Sequence, residues 1–331
     1  MRRSLLGRSL RTLALVGAFF GALASCGSRT GLFGEEPGPA DARVDGASEG
    51  GSDAGVDRAT PVDALPLIDG RVAPDVNRND CPDADATLIY IITTENELFA
   101  FNPPDGSFRL IGRIACPAPA GTTPFSMAVD RQGVAFVLFN DGALYRVSTL
   151  TANCTATSFV KDQAGFGTFG MGYATDELGP SETLFVAADD QNGRARGLGR
   201  IDTAGGFRLA TVGDFRPTVE RAELTGTGDG RLFAFYTASR TGRPADTLTY
   251  VGEINKRTAA VVAETALRTV EQGQGWAFAF WGGDFYLFTA PDGPASRVTR
   301  FRPSDTSVTI VANLGTTIVG AGVSTCAPNV P

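Results

Sequence analysis

Histidine is absent from all 331 residues. That one absence removes Ser-His-Asp triads, Cys-His dyads, histidine metal sites and c-type haem ligation, since each needs an imidazole. No glycine-rich phosphate loop stands between a strand and a helix, and a net charge of −7 opposes contact with nucleic-acid phosphates. Long segments with apolar residues at helical spacing are missing too, so the fold is not built from helices. The uncharged apolar run at residues 12–23 falls short of the roughly 20 residues that a membrane-spanning helix needs. No cofactor is expected from these residues.

What stands at the start is an address. Arg2, Arg3, Arg8 and Arg11 precede that apolar run, the order of a charged region and a hydrophobic region in a secretory signal. Removing those four arginines with residues 1–25 takes the net charge from −7 to −11. Leu23, Ala24, Ser25 and Cys26 resemble the lipobox of bacterial lipoproteins. The resemblance implies lipid on Cys26, attachment to the bacterial cell envelope, and, with Gly27 in place of aspartate, the outer membrane. Acyl chains contribute about 0.8 kcal/mol per buried CH₂, so several of them would hold the chain on a membrane surface. Arg2 and Arg3 also resemble part of a twin-arginine export signal, with the rest of that motif incomplete.

Residues 26–80 change character, with Gly, Ala, Pro and Asp dominating and no aromatic after Phe33. Eleven acidic residues against five arginines in residues 28–80 make a self-repelling segment that buries too little apolar surface to order itself. It reads as a tether. Asp75, Asn77 and Asn79 match the first ligands of a calcium loop, but Asp80 stands where glycine is needed and Ala86 where a bidentate glutamate is. With Cys26 assigned to lipid, Cys81, Cys116, Cys154 and Cys326 remain for two disulfides. Their places suggest Cys81 with Cys326 and Cys116 with Cys154, while four cysteines allow three connectivities.

Residues 81–331 read as short strands and turns. Apolar runs rich in aromatic and β-branched residues are separated by NPPDG, DRQG, NDG, GDG, GGD and PDG. The text repeats from Phe125, Phe169, Ala222 and Trp276: a strand of small residues, a turn with aspartate, an aromatic strand, a loop and a third strand of LYRV type. Four strands per unit of roughly 40 to 50 residues is the pattern of β-propeller blades. The N-terminal part lacks a first strand, and the C-terminal TIVGAGVSTC is a first strand without successors. The expectation is a five-bladed β-propeller closed by its last strand. Small residues in the first strands, such as Gly170, Gly172, Gly320 and Gly322, predict a tight channel.

Candidate chemistry is sparse. Asp130, Asp176, Asp229 and Asp284 recur after the first strand of four units, and recurrence favours turn formation over a shared acid-base site. The aromatic stretch from Trp276 to Phe288 suits packing between blades, with Trp276 at a strand start the best exception. Longer loops on one face nominate Asp189, Asp190, Arg194, Arg196, Arg240 and Arg243, with Arg221, Gln274 and Trp276 beside them. The whole resembles exported lipoproteins with propeller repeats, a group that implies no activity. A non-catalytic binding or scaffolding module for a protein or glycan partner is the leading expectation. A carbohydrate-active hydrolase using carboxylates near the axis is the alternative, for which Glu223 is the candidate. A purely structural envelope protein is a third.

Overall fold

The computed structural model describes residues 88–177, 180–188 and 197–329, so the signal, Cys26, the tether and Cys81 lie outside the described residues. Blade 1 takes β1 (Ile89–Thr93), β2 (Glu97–Asn102) and β3 (Ser107–Arg113). Blade 2 holds β4 (Pro124–Val129), β5 (Val134–Phe139), β6 (Leu144–Ser148) and β7 (Cys154–Ala156). Blade 3 holds β8 (Phe169–Thr175), β9 (Glu182–Ala188), β10 (Leu198–Asp202) and β11 (Arg208–Gly213). Blade 4 comprises β12 (Glu220–Gly226), β13 (Leu232–Ser239), β14 (Thr247–Ile254) and β15 (Val261–Ala266). Blade 5 comprises β16 (Trp276–Trp281), β17 (Asp284–Thr289), β18 (Ser296–Arg302) and β19 (Ser307–Leu314). Finally β20 (Ile318–Gly322) returns to pair with β1, placing Gly322 opposite Tyr90 and Gly320 opposite Ile92.

The result is a five-bladed β-propeller whose last strand is the innermost strand of blade 1. Closure leaves no exposed edge around the inner ring. Five hydrophobic clusters fill the five gaps between neighbouring blades. Tyr286 and Phe288 of blade 5 meet Phe101 of blade 1, for example, and Phe136 of blade 2 meets Tyr173 of blade 3.

This layout explains the composition of the strands. The second strand of each blade is covered on both faces, so β17 reads DFYLFT with every residue buried. The outermost strand has no further neighbour, so β19 exposes Val308, Thr309, Ile310 and Asn313. Inner strands face a different limit, the distance between backbones. A methyl group on Gly320 would lie 2.7 Å from the Met127 nitrogen, and one on Gly322 would lie 2.7 Å from the Val129 nitrogen. Real side-chain carbons do not approach so closely, which is why these strands alternate glycine, alanine and serine.

A disulfide joins Cys116, on the connection leaving blade 1, to Cys154 at the start of β7, across 38 residues of sequence. It ties the first two blades together and restricts the unfolded chain, an effect of the order of a few kcal/mol. Cys326 is disulfide-bonded as well. Its expected partner Cys81 is outside the described residues.

Candidate functional site

The upper face of the ring carries the loops joining second to third strands and the segments entering each first strand. Three of those first strands begin with a bulge: β20, where Ile318 pairs with Thr93 and Gly320 with Ile92, and the two that matter here, β4 and β12. In β4, Pro124 pairs with Phe139 and Ser126 with Leu138, so Phe125 is an extra residue. In β12, Glu220 pairs with Thr237 and Glu223 with Phe235, again one residue too many on the inner strand. Arg221 lies in that second bulge with a left-handed φ of 49°. Bulges kink a strand and re-aim its side chains, and they concentrate beside functional sites.

Here the re-aimed side chains meet. The Arg221 guanidinium stacks on the Trp276 ring at 3.7 Å from its centroid, and Trp276 meets the edge of Phe125 at 6.0 Å. The three residues come from blades 4, 5 and 2, so they bridge the mouth of the axis. Arg221 Nη2 donates to the Gly273 carbonyl at 3.0 Å, and Gln272 Nε2 donates to the Arg221 carbonyl at 3.1 Å. Gln272 is buried, and among the described residues its Oε1 accepts no hydrogen bond. Backbone contacts hold the entry to β16, where Gln274 donates to the Ala290 carbonyl at 3.0 Å. A guanidinium on an indole face contributes about 0.5–2 kcal/mol depending on desolvation.

Beneath this lid the axis is filled. Ser126 Oγ donates to Glu223 Oε2 at 2.8 Å, joining blade 2 to blade 4 across the centre. Glu223 is only 1% exposed. The Thr225 hydroxyl oxygen accepts from the Phe280 backbone N–H at 3.1 Å, closing the neighbouring space.

Of the residues nominated from sequence, Arg221, Gln274 and Trp276 are therefore brought to one place. Arg240 is not with them: its Nε donates to Glu264 Oε1 at 2.9 Å and its Nη1 to the Thr218 carbonyl at 2.7 Å. Tyr236 also donates its hydroxyl to Glu264, and Arg240 lies 5.1 Å from the Tyr250 ring centroid. That guanidinium holds blade 4 together. Arg243 is exposed on the following loop, where its carbonyl accepts from Ser239 Oγ at 2.6 Å. Asp189, Asp190, Arg194 and Arg196 lie outside the described residues. Sequence reading missed Phe125 and Gln272. Phe125 occupies the same place in its repeat as Trp276 does, and that equivalence was the available signal.

On the lower face the recurring aspartates do different things. Asp130 Oδ1 accepts from the backbone N–H groups of Gln132 and Val134 and shapes its turn. Asp176 accepts from the Thr183 hydroxyl, Asp229 from the Thr227 hydroxyl, and Asp284 from the Arg302 guanidinium. Near the axis, Glu182 Oε1 accepts from the Arg131 backbone N–H at 2.7 Å and Oε2 from the Thr325 hydroxyl at 2.8 Å. Burial nevertheless pushes the Glu182 carboxyl up to about 7, outweighing those hydrogen bonds and the Arg131 charge 3.8 Å away. Burial raises Asp130 in the same direction.

A carboxyl whose folded pKa lies above its ordinary value of 4.5 holds its proton more tightly folded than unfolded. The stability it contributes is present below about 4.5 and is lost as pH rises through about 7. Denaturant unfolding should therefore show stability falling by about 2 kcal/mol between mildly acidic and mildly alkaline pH. Glu182→Gln should flatten that fall, and an unchanged profile in the variant would remove Glu182 as its source.

No protein-family model matches this chain. No curated protein matches it either. Solved structures do resemble it in architecture. The structure of U3-55K aligns over 73% of this chain and 83% of its own at 11% identity, with a TM-score of 0.40. A protein of unknown function from Bacteroides caccae aligns over 70% and 84% at 13% identity, with a TM-score of 0.41. TolB from Acinetobacter baumannii aligns over 67% of this chain at 13% identity and a TM-score of 0.37, and the chain spans 51% of TolB. Likeness at this level carries no argument about function.

Proposed function

We propose that the chain is an exported lipoprotein, lipidated on Cys26, whose propeller binds a protein partner without catalysis at the mouth formed by Phe125, Arg221 and Trp276. The observation that carries this reading is the meeting of side chains from three blades, two of them aimed by bulges. A disulfide between Cys116 and Cys154 supports folding in an oxidising compartment. Among the described residues no helix is long and apolar enough to cross a membrane, consistent with attachment through lipid at the end of a tether.

A protein fits the mouth better than a sugar. Sugars stack on open indole faces, and one face of Trp276 is covered by Arg221 at 3.7 Å. Aromatic and arginine side chains together are the composition of interface hot spots. Glycan hydrolysis draws less support, because Glu223 lies under the lid and is hydrogen-bonded to Ser126.

The test is a photo-crosslinking residue placed at Gln274, beside the mouth, in bacteria that lipidate the chain. One defined adduct that disappears with Arg221→Ala, and that a crosslinker at Lys256 on the lower face does not form, supports the reading. No adduct, or the same adduct from both faces, overturns it. Cys26→Ser in the same cells should move the protein from the membrane to the soluble fraction, and continued membrane attachment would dismiss the lipid anchor.

A further inference from the structure

The lower face has a cleft of about 640 Å³ between blades 4 and 5. Its volume lies within the range of small-molecule sites, roughly 300–1,000 Å³. Phenylalanine rings from both blades line it, Phe233 from one side and Phe280, Phe285 and Phe301 from the other. Phe233 and Phe285 pack edge to face at 4.8 Å between centroids, so the apolar lining is continuous across the two blades.

The polar lining is one-sided. Asp229, Glu253 and Glu264 supply carboxylates and Arg231 the one guanidinium among the lining residues. That guanidinium is already used, since Nε and Nη2 donate to Glu253 at 3.2 and 2.6 Å while Cζ sits 4.6 Å over the Phe233 ring. Glu264 is neutralised from outside the cleft by Arg240. Lys256, whose charge also feels Asp229, donates Nζ to the Thr175 carbonyl at 2.6 Å. Two lining acceptors stand out for an occupant: exposed Asp229, one oxygen of which accepts from Thr227, and Asn329, whose Oδ1 is buried and accepts no hydrogen bond among the described residues.

We propose that this cleft binds a small organic cation with an apolar body. Its charged nitrogen would meet the Asp229 carboxylate and the Asn329 amide oxygen, and its body would lie on the phenylalanine rings. Arg231 shows the mode within the protein itself, a cation over Phe233 with a carboxylate beside it. Aromatic faces attract cations through their quadrupole, and a desolvated site strengthens the attraction. A buried acceptor without a donor is costly, so a ligand N–H at Asn329 would be favoured over an apolar group. An anion would face Asp229 and gain nothing from the acceptors.

The experiment is calorimetric titration of the oxidised full chain with 3-phenylpropylammonium, 3-phenylpropanol and 3-phenylpropionate, which share a body and differ in charge. The ammonium should bind saturably in the millimolar range or tighter, and about tenfold more tightly than either of the others. Asp229→Asn should erase that preference, and Lys161→Ala, which pairs with Asp141 in blade 2 away from the cleft, should leave it intact. No saturable heat with the ammonium, equal binding of all three probes, or a preference that survives Asp229→Asn would each overturn the proposal. The charge series on the unaltered chain decides the matter even if the variant misfolds.

Discussion

Replacing Arg131 with methionine is expected to destabilise the ring by about 3–5 kcal/mol, the cost of breaking a buried charge network by removing one partner. The side chain is 7% exposed at the centre of the lower face. Its Nε donates to the Thr325 hydroxyl oxygen at 2.8 Å, its Nη2 to the Thr175 hydroxyl oxygen at 2.7 Å, and its Nη1 to the Pro180 carbonyl. Thr325 in turn donates to Glu182. One residue of blade 2 thus holds β8 and β9 of blade 3 together with the segment that follows the closing strand β20. Methionine would keep much of the volume, leave three acceptors buried without their donor, and remove the positive charge 3.8 Å from the buried Glu182 carboxyl. Urea unfolding measures the change. Arg131→Met combined with Glu182→Gln should recover part of the loss, because the second substitution removes the stranded acid. A loss below about 1 kcal/mol would show that the network is screened like a surface ion pair.

Adding a single methyl group to Gly172 is expected to cost about 3 kcal/mol, through overpacking where the backbone itself would have to move. The new carbon would lie 2.6 Å from the Leu224 carbonyl oxygen, 2.7 Å from the Leu224 carbonyl carbon and 2.9 Å from the Thr225 Cα. Those atoms belong to β12, so the methyl would wedge blade 3 from blade 4. Strain of that kind spreads around a closed ring, since each inner strand is confined by two neighbours. Gly315→Ala is the matching control, with nothing within 4 Å of the new carbon, and should change stability by less than about 1 kcal/mol. Comparable losses in the two variants would mean that backbone entropy, not the approach of the strands, sets the effect.

Both expectations bear on function. A binding surface assembled from three blades keeps its geometry only while the ring stays closed. Arg131 and the glycines of the inner strands act on the same closure from below and from within. Weakening either should loosen the contact of Phe125 with Trp276 before the blades themselves unfold, because the individual sheets retain their own ladders.

Much of the architecture was legible in the chain. The alternation Gly170, Gly172 and the pair Gly320, Gly322 announced inner strands around a tight channel, and the structure sets both pairs against the backbone of the next inner strand. The missing first strand at one end and the spare strand at the other announced closure, which β20 and β1 carry out. Pairing of Cys116 with Cys154, suggested by their places in adjacent units among three possible connectivities, is present. Each of these signals is local, a matter of period, turn chemistry or repeat position, and local signals survive in a linear text.

The sites were legible only in part. Arg221 and Trp276 were nominated, yet nothing in the text says that a one-residue bulge turns Arg221 onto the indole from another blade. Arg240 looked available on a long loop until folding placed Glu264 beside it. Arg131 stands in the DRQG turn and drew no reading from sequence, because its partners lie 44, 49 and 194 positions away. Sequence by itself determined the exclusion of imidazole chemistry, the repeat, the inner-strand glycines and the ring. Tertiary structure alone decided which charges are consumed and which side chains cross the axis, because those outcomes depend on the register of strands far apart in the chain and on which loops closure brings together.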